Sequence, residues 1–91
     1  MIPIEQGDTL IDRYIVPDPN RPGPERALIA DSGLSVWTVI SYLQATNWDV
    51  RRTAVECELS EEAVQAAILY YLRNQQAIDA RSALHAAFHE A

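Results

Sequence analysis

The fold of this chain is decided by residues 49–72, which read DVRRTAVECELSEEAVQAAILYYL. Ala54, Leu59 and Val64 follow one another at intervals of five residues, a spacing typical of two helices joined by a tight turn. The small side chain of Ala54 allows the second helix to approach, while Leu59, Val64 and Ile68 are expected to fill the angle between the helices. The stretch therefore predicts a helix-turn-helix, a unit that serves both as a DNA-binding device and as a plain structural corner.

The ends of these two helices are indicated by residues that cap helices. Asp49 and Ser60 each place a side-chain oxygen where it can accept from the unpaired amide groups that open a helix. We therefore predict one helix from Val50 to about Glu56 and a second helix that begins after Ser60.

Apolar residues at helical spacing extend the prediction in both directions. Ser35 can cap an earlier helix, and nothing interrupts a later helix over residues 75–90. The expected apolar stripes are Val36, Val39, Ile40 and Leu43 with Trp37 beside them, then Val64, Ala67, Ile68, Tyr71 and Leu72, and finally Ile78, Leu84 and Phe88.

The N-terminal half of the sequence is typical of strands and loop. Residues 13–16 and 27–30 are short β-type runs, and the proline-rich segment 17–24 between them excludes helix. Two strands around such a loop form a hairpin that is marginal alone and needs covering by helices or by a second copy of the chain.

These patterns predict a mostly α fold, with a three-helix helix-turn-helix core, a short N-terminal β-hairpin and a C-terminal tail helix. We expect one domain over residues 1–91 because 91 residues suffice for a single small domain. Within it, the hairpin arm covers residues 10–30, the core covers residues 34–73 and the tail helix covers residues 74–91.

Composition narrows the class of protein. The net charge is −6, with seven arginines and no lysine, so strong non-specific attraction to nucleic-acid phosphates or to membranes is not expected. One cysteine excludes an intrachain disulfide and favours a reducing cytoplasm. The first residues lack the basic and apolar regions of a secretory signal, and no apolar run is long enough to span a bilayer.

Several short segments of the chain resemble a bacterial family known as domain of unknown function 433. The matching segments are Tyr14-Ile15-Val16 with Asp18-Pro19, Val36-Trp37, Glu61-Glu62-Ala63-Val64, Ala66-Ala67, Tyr70-Tyr71 and Ile78-Asp79-Ala80-Arg81. The resemblance covers roughly residues 10 to 82 and implies an antitoxin-like role, since several relatives look like the antidote to a toxin with a PIN-like nuclease fold. Many members carry Gly-Thr-Arg-Ile-Pro-Val before the first core helix, where this chain has Asp31-Ser32-Gly33-Leu34-Ser35-Val36.

Candidate DNA contacts lie on and near the helix-turn-helix. The residues are Arg51 and Arg52, which open its first helix, Gln65 and Arg73 on its second, and Arg26 in the N-terminal half. The alternative is that the arginines are solvated and pair with neighbouring acids such as Asp49 and Glu56. The second helix begins with Glu61 and Glu62, which suit the positive end of a helix dipole but face a major groove badly.

Candidate partner contacts and candidate chemistry are fewer. Leu84 and Phe88 give the tail helix an apolar face that a protein partner can cover. His85 and His89 have a spacing that can hold zinc, but no third ligand is evident, and a surface pair is the alternative. Cys57 is expected on the packed side of its helix. We predict no catalytic, cofactor-binding or metal-binding residue, and hence a protein that is not an enzyme.

Two functional hypotheses follow. The first is an antitoxin-like helix-turn-helix protein that binds a PIN-like toxin and possibly its own operator DNA. The second is a DNA-independent dimerisation or protein-interaction module with the same fold. In both hypotheses we expect a homodimer, because a small domain with much apolar helix surface commonly gains stability by pairing.

Overall fold

In the computed structural model, the described residues form five α-helices and one two-stranded hairpin. The description covers the backbone of residues 4–90 and the side chains of residues 9–83. In chain order the elements are α1 (Ile4–Tyr14), β1 (Ile15–Val16), a 3₁₀ helix (Pro24–Arg26), β2 (Leu28–Ile29), α2 (Val36–Ala45), α3 (Val50–Cys57), α4 (Glu61–Arg73) and α5 (Gln75–Glu90). The mostly α fold with a short hairpin and a C-terminal helix is therefore confirmed.

Helices α3 and α4 are the two helices predicted from residues 49–72, and three residues join them. The Asp49 carboxylate accepts from the backbone N–H of Arg52 at 3.0 Å, and the Ser60 hydroxyl accepts from that of Ala63 at 3.1 Å. Glu58 ends α3 in the left-handed conformation, with φ of 57°, and its N–H donates to carbonyl groups in the last turn of α3. Both predicted caps are confirmed, and they fix where the turn begins and ends.

The core forms around α4, which packs against each of the other four helices. The predicted stripe of α2 is confirmed, because all four of its members are buried. Ser35 precedes α2 as predicted, but its hydroxyl lies 2.6 Å from that of Thr38 and accepts from no backbone amide. The buried apolar residues are Ile15, Ala27, Ile29, Val36, Val39, Ile40, Leu43, Ala54, Ala63, Val64, Ala66, Ala67, Tyr71 and Ile78.

The hairpin is shorter than predicted. Ile15 pairs with Ile29 and Val16 with Leu28 in an antiparallel ladder, so two residues of each predicted four-residue strand are in the sheet. Ile15 and Ile29 point into the core, and Val16 faces outward. The helices cover the inner face of this small sheet, which supplies the burial that a lone hairpin lacks.

The prediction of loop and strand before residue 17 was wrong for residues 4–14, which form α1. Leu10, Ile11 and Tyr14 pack against the core, and their spacing places them on one side of a helix. The β-branched pair Ile15 and Val16 follows directly, and its strand character concealed the helix that precedes it.

Two residues of the second predicted stripe, Leu72 and Ile68, differ from expectation. Leu72 was expected in the core but is 60% exposed, whereas Ala66, which the stripe leaves out, is 0% exposed. Ile68 is partly buried, as is Leu59 in the turn. The reason is that α1 packs against α4 in addition to α2 and α3, so the buried side of α4 is rotated toward Ala63 and Ala66.

The junction between α4 and α5 is held by side chains from both helices. The hydroxyl of Tyr71 donates to Asp79 Oδ1 at 2.7 Å, and Asn74 Nδ2 donates to the carbonyl of Tyr70 at 3.0 Å. Ile78 is fully buried, so the predicted apolar face of the tail helix is confirmed at its start. The side chains of Leu84 and Phe88, the predicted partner contacts, lie outside the described residues.

Candidate interaction surface

The outward face of α4 is acidic where the helix begins and apolar where it ends. At about 100° of rotation per residue, Glu61, Gln65 and Leu72 project within about 40° of one another. All three are exposed. No basic residue lies on α4 before Arg73, in its last turn. A helix that reads DNA instead needs donors and cations toward the groove, near its N-terminal end.

Glu62, beside this face, is held by two residues of α1. The Tyr14 hydroxyl donates to Glu62 Oε2 at 2.8 Å, and Arg13 Nη1 lies 4.0 Å from the same oxygen. The Arg13 guanidinium also lies 5.3 Å from the centre of the Tyr14 ring. α1 therefore covers one side of α4 and ties the first turn of α4 to itself.

Arg51 and Arg52 are both exposed in the first turn of α3. Arg52 Nε donates to Glu56 Oε1 at 3.2 Å, one helical turn away. Arg52 therefore pairs with a neighbouring acid, as in the alternative to DNA contact given above. An exposed pair of this kind contributes little to stability, so the cation can still exchange partners.

The structure does not bring all five predicted DNA contacts together. Arg26 is part of the 3₁₀ helix, which is attached to α4 through the Tyr70 hydroxyl, a donor to the Pro24 carbonyl at 2.7 Å. Tyr70 and Gln65 project about 140° apart around α4, so Arg26 and Gln65 serve different faces. Arg73 lies eight residues beyond Gln65, about 12 Å along the helix axis. The five residues thus lie on three elements, with Arg26 and Gln65 on different faces.

An exposed aromatic side chain marks the other end of the α4 surface. Trp48 is 43% exposed, and its ring lies 6.1 Å from that of buried Tyr71. Trp48 has φ of 63° and follows Asn47 at 57°, so two consecutive residues without the freedom of glycine adopt the left-handed conformation. Ile68 and Leu72 continue from Tyr71 along the helix surface. We call Trp48, Ile68 and Leu72 the Trp48 patch.

A cavity of about 590 Å³ lies at the opposite end of α4. Its apolar walls come from Ile29, Leu34 and Leu59, and the acids Asp31 and Glu58 also line it. It lies between the turn that follows β2 and the turn between α3 and α4. The hairpin and the helix-turn-helix thus meet at a concave acidic site.

Cys57, which was expected in the core, is partly buried and lines this cavity. Burial raises the pKa of its thiol, and the nearby carboxylate of Glu56 raises it further. A raised pKa keeps the sulfur protonated and weakly nucleophilic at neutral pH. The geometry gives Cys57 no partner for nucleophilic chemistry among the residues that line the cavity.

The sequence patterns did not reveal two residues that shape these surfaces. Tyr14 was assigned to a strand, and Asp31 was given no site role. The packing of α1 on α4 depends on contacts distant in sequence, which local patterns do not reveal. Trp48 packs on the core through its ring contact with Tyr71 and is 43% exposed.

Within the described part of the chain, no group of three or more His, Cys, Asp or Glu side chains is placed to hold a metal ion. The side chains of His85 and His89 lie outside that part. The described helices include none long and apolar enough to cross a membrane.

Comparison with known proteins gave no relative. No protein-family model matches the chain, and neither a curated protein nor a solved structure matches it. The resemblance to domain of unknown function 433 therefore stays a prediction from the segments quoted above.

Proposed function

We propose that this protein is a protein-binding module built on a helix-turn-helix, and that it captures a partner with a basic surface. The observation that carries the proposal is the outward face of α4, which has Glu61 at its start and Leu72 at its end. Acidic residues at the start of this helix repel DNA phosphates and attract a basic protein surface. The proposal corresponds to the second of the two hypotheses, a DNA-independent protein-interaction module.

The Trp48 patch supports the proposal independently of charge. Partly exposed tryptophan and leucine side chains are typical anchors of protein interfaces, where a few large residues supply most of the binding free energy. The left-handed conformation of Trp48 is costly for a residue with a side chain, and it places the ring at the surface against Tyr71.

The antitoxin role is the specific form of this proposal. A nuclease-type toxin with a PIN-like fold has to bind nucleic-acid phosphates, so we expect a basic surface along its substrate path, and an acidic protein complements such a surface. The choice of a PIN-like toxin as the partner comes from the resemblance given above. The α4 surface supports only a partner with a basic surface.

The first experiment separates protein binding from DNA binding. Fluorescence anisotropy with a random duplex of about 20 base pairs at physiological salt should show no binding at tens of micromolar protein. Non-specific DNA binders reach dissociation constants of roughly 10⁻⁴–10⁻⁶ M through phosphate contacts. Micromolar binding to random duplex would contradict the proposal.

The second experiment tests the surface itself. The protein is co-expressed with the product of the adjacent open reading frame, and the complex is captured by affinity chromatography. Leu72→Ser and Trp48→Ala should weaken capture at least tenfold, since central anchors often contribute about 2 kcal/mol or more. Val55→Ala is the matched control, because Val55 is 73% exposed on the outer side of α3 and outside the Trp48 patch. Absence of capture, or equal capture by all three variants, would argue against the proposed surface.

A further inference from the structure

The cavity between the hairpin and the helix-turn-helix combines apolar walls with two acids. Ile29, Leu34 and Leu59 supply the walls. Asp31 and Glu58 line the same cavity, and within the described part of the chain neither carboxylate accepts a hydrogen bond or pairs with a cation. Its volume of about 590 Å³ is within the range of roughly 300–1000 Å³ that ligand sites occupy.

The charged side chains that line the cavity, Asp31 and Glu58, are both acidic. Among the described residues that line it, none is basic. The ion pair of Arg13 and Glu62 lies beside it on α1 and α4, and the Arg13 guanidinium is 5.3 Å from the centre of the Tyr14 ring, which lines the cavity. The C-terminus of α3 and the N-terminus of α4 meet at the cavity, and the partial charges of the two helix ends have opposite signs. The net charge of the cavity lining is therefore set by the carboxylates of Asp31 and Glu58.

We infer that this cavity binds an arginine side chain presented by the partner protein. An arginine has a three-carbon stem that packs along apolar walls and a planar guanidinium group that carboxylates bind through paired hydrogen bonds. The stem would lie on Leu34 and Leu59 and the guanidinium group between Asp31 and Glu58. The inference rests on the proposed function and names the residue type by which the basic partner is recognised.

The test uses a probe that needs no partner protein. The full chain, labelled with ¹⁵N, is titrated with the blocked tripeptide acetyl-Gly-Arg-Gly-amide and followed by NMR. Acetyl-Gly-citrulline-Gly-amide is the matched control, since citrulline keeps the shape of arginine and lacks its charge. We expect saturable shifts at the amides of residues 31–34 and 57–60, with at least fivefold weaker binding of the citrulline peptide.

Variants then assign the binding to the two carboxylates. Glu58→Gln and Asp31→Asn should each weaken binding of the arginine peptide about threefold or more. Asp12→Asn changes net charge by the same amount, but Asp12 is exposed on α1 and projects about 200° around that helix from Tyr14, which lines the cavity. It should leave binding unchanged. Circular dichroism confirms that each variant is folded.

Cys57 provides a second, independent readout, because it is the only cysteine of the chain and lines the cavity. Saturating arginine peptide should slow alkylation of Cys57 by iodoacetamide at least twofold, and the citrulline peptide should not. Equal binding of the two peptides, shifts confined to other residues, or equal weakening by Asp12→Asn would overturn the inference. The peptide titration tests the cavity alone, whereas partner capture with the Trp48 patch variants tests the proposed function. Failure of the one can therefore be distinguished from failure of the other.

Discussion

Leu59 precedes α4 and Ile78 follows it, and these two apolar residues differ in burial. Ile78 is fully buried at the α4–α5 junction, whereas Leu59 in the turn is partly exposed. The cost of truncating a side chain depends on the contacts and the cavity left behind. Truncation of Leu59, in the turn between α3 and α4, is therefore expected to cost less stability than truncation of Ile78, which packs α5 against the core.

We expect Ile78→Ala to lower the free energy of unfolding by about 3–4 kcal/mol, as for other fully buried isoleucines. Leu59→Ala should cost only about 1–2 kcal/mol, because its side chain retains contact with water. Leu72→Ala, at a mostly exposed position, should stay within about 0.5 kcal/mol. Urea melts followed by circular dichroism measure all three. A larger effect at Leu59 than at Ile78 would contradict the burial described here.

Tyr71 links the stability of the protein to alkaline pH. Its hydrogen bond to Asp79 raises the pKa of the phenol, and burial raises it further. The folded state therefore favours the protonated phenol, and this contribution is complete below the unfolded pKa of about 10. It is lost as the pH rises through the higher pKa of the folded state.

Tyr71→Phe should accordingly reduce the loss of stability above about pH 10, because phenylalanine has no proton to lose. Urea melts at pH 8 and at several values between about 9.5 and 11 measure the effect. Tyr42→Phe, at an exposed position on α2, is the control and should leave the alkaline slope as in the parent protein. The idea fails if the two variants have the same pH profile.

At the scale of elements, Glu58 is a residue with a side chain in a position that favours glycine. Its φ of 57° closes α3, and the left-handed conformation costs residues other than glycine roughly 1–2 kcal/mol. Glu58→Gly should therefore raise the free energy of unfolding by about 0.5–1 kcal/mol. Glu56→Gly, inside the same helix, should lower it by about 1 kcal/mol because glycine is a poor helix former. Thermal melts of the two variants should move in opposite directions.

The sequence predicted those elements whose ends are set by neighbouring residues. Asp49 and Ser60 cap α3 and α4 through hydrogen bonds that span three residues, so local patterns were sufficient to place both helices. α1 and the burial of Ala66 depend on packing between segments about 50 residues apart, which no local pattern contains. The same reason applies to the candidate site. Arg26 and Gln65 could be named from the sequence, but their position on different faces depends on a contact between distant segments, Tyr70 with Pro24.

At the scale of the whole molecule, the prediction of a homodimer follows from the small size of the chain. A domain of 91 residues buries a modest fraction of its surface when it folds alone. The described fold leaves large apolar side chains exposed on β1, α2, α3 and α4, which a second copy of the chain can cover.

Light scattering coupled to size exclusion should give a mass of about 20 kDa at tens of micromolar protein, twice the 10.2 kDa of one chain. The dimer would carry a net charge of −12, twice −6, so raising the salt concentration should strengthen rather than weaken pairing. A mass of about 10 kDa at every salt concentration would remove this prediction.

The packing of α1 on α4 also has a consequence for the order in which the chain folds. Tyr14 and Glu62 are 48 residues apart, whereas α2, α3 and α4 are consecutive and need only short loops to meet. We expect the three consecutive helices to form the nucleus and α1 to dock after the rate-limiting step. In stopped-flow experiments, Val64→Ala should then slow refolding, while Ile11→Ala should leave refolding unchanged and accelerate unfolding. During synthesis α1 leaves the ribosome before the four other α-helices described above, yet its apolar side cannot pack on α4 until α4 has followed it.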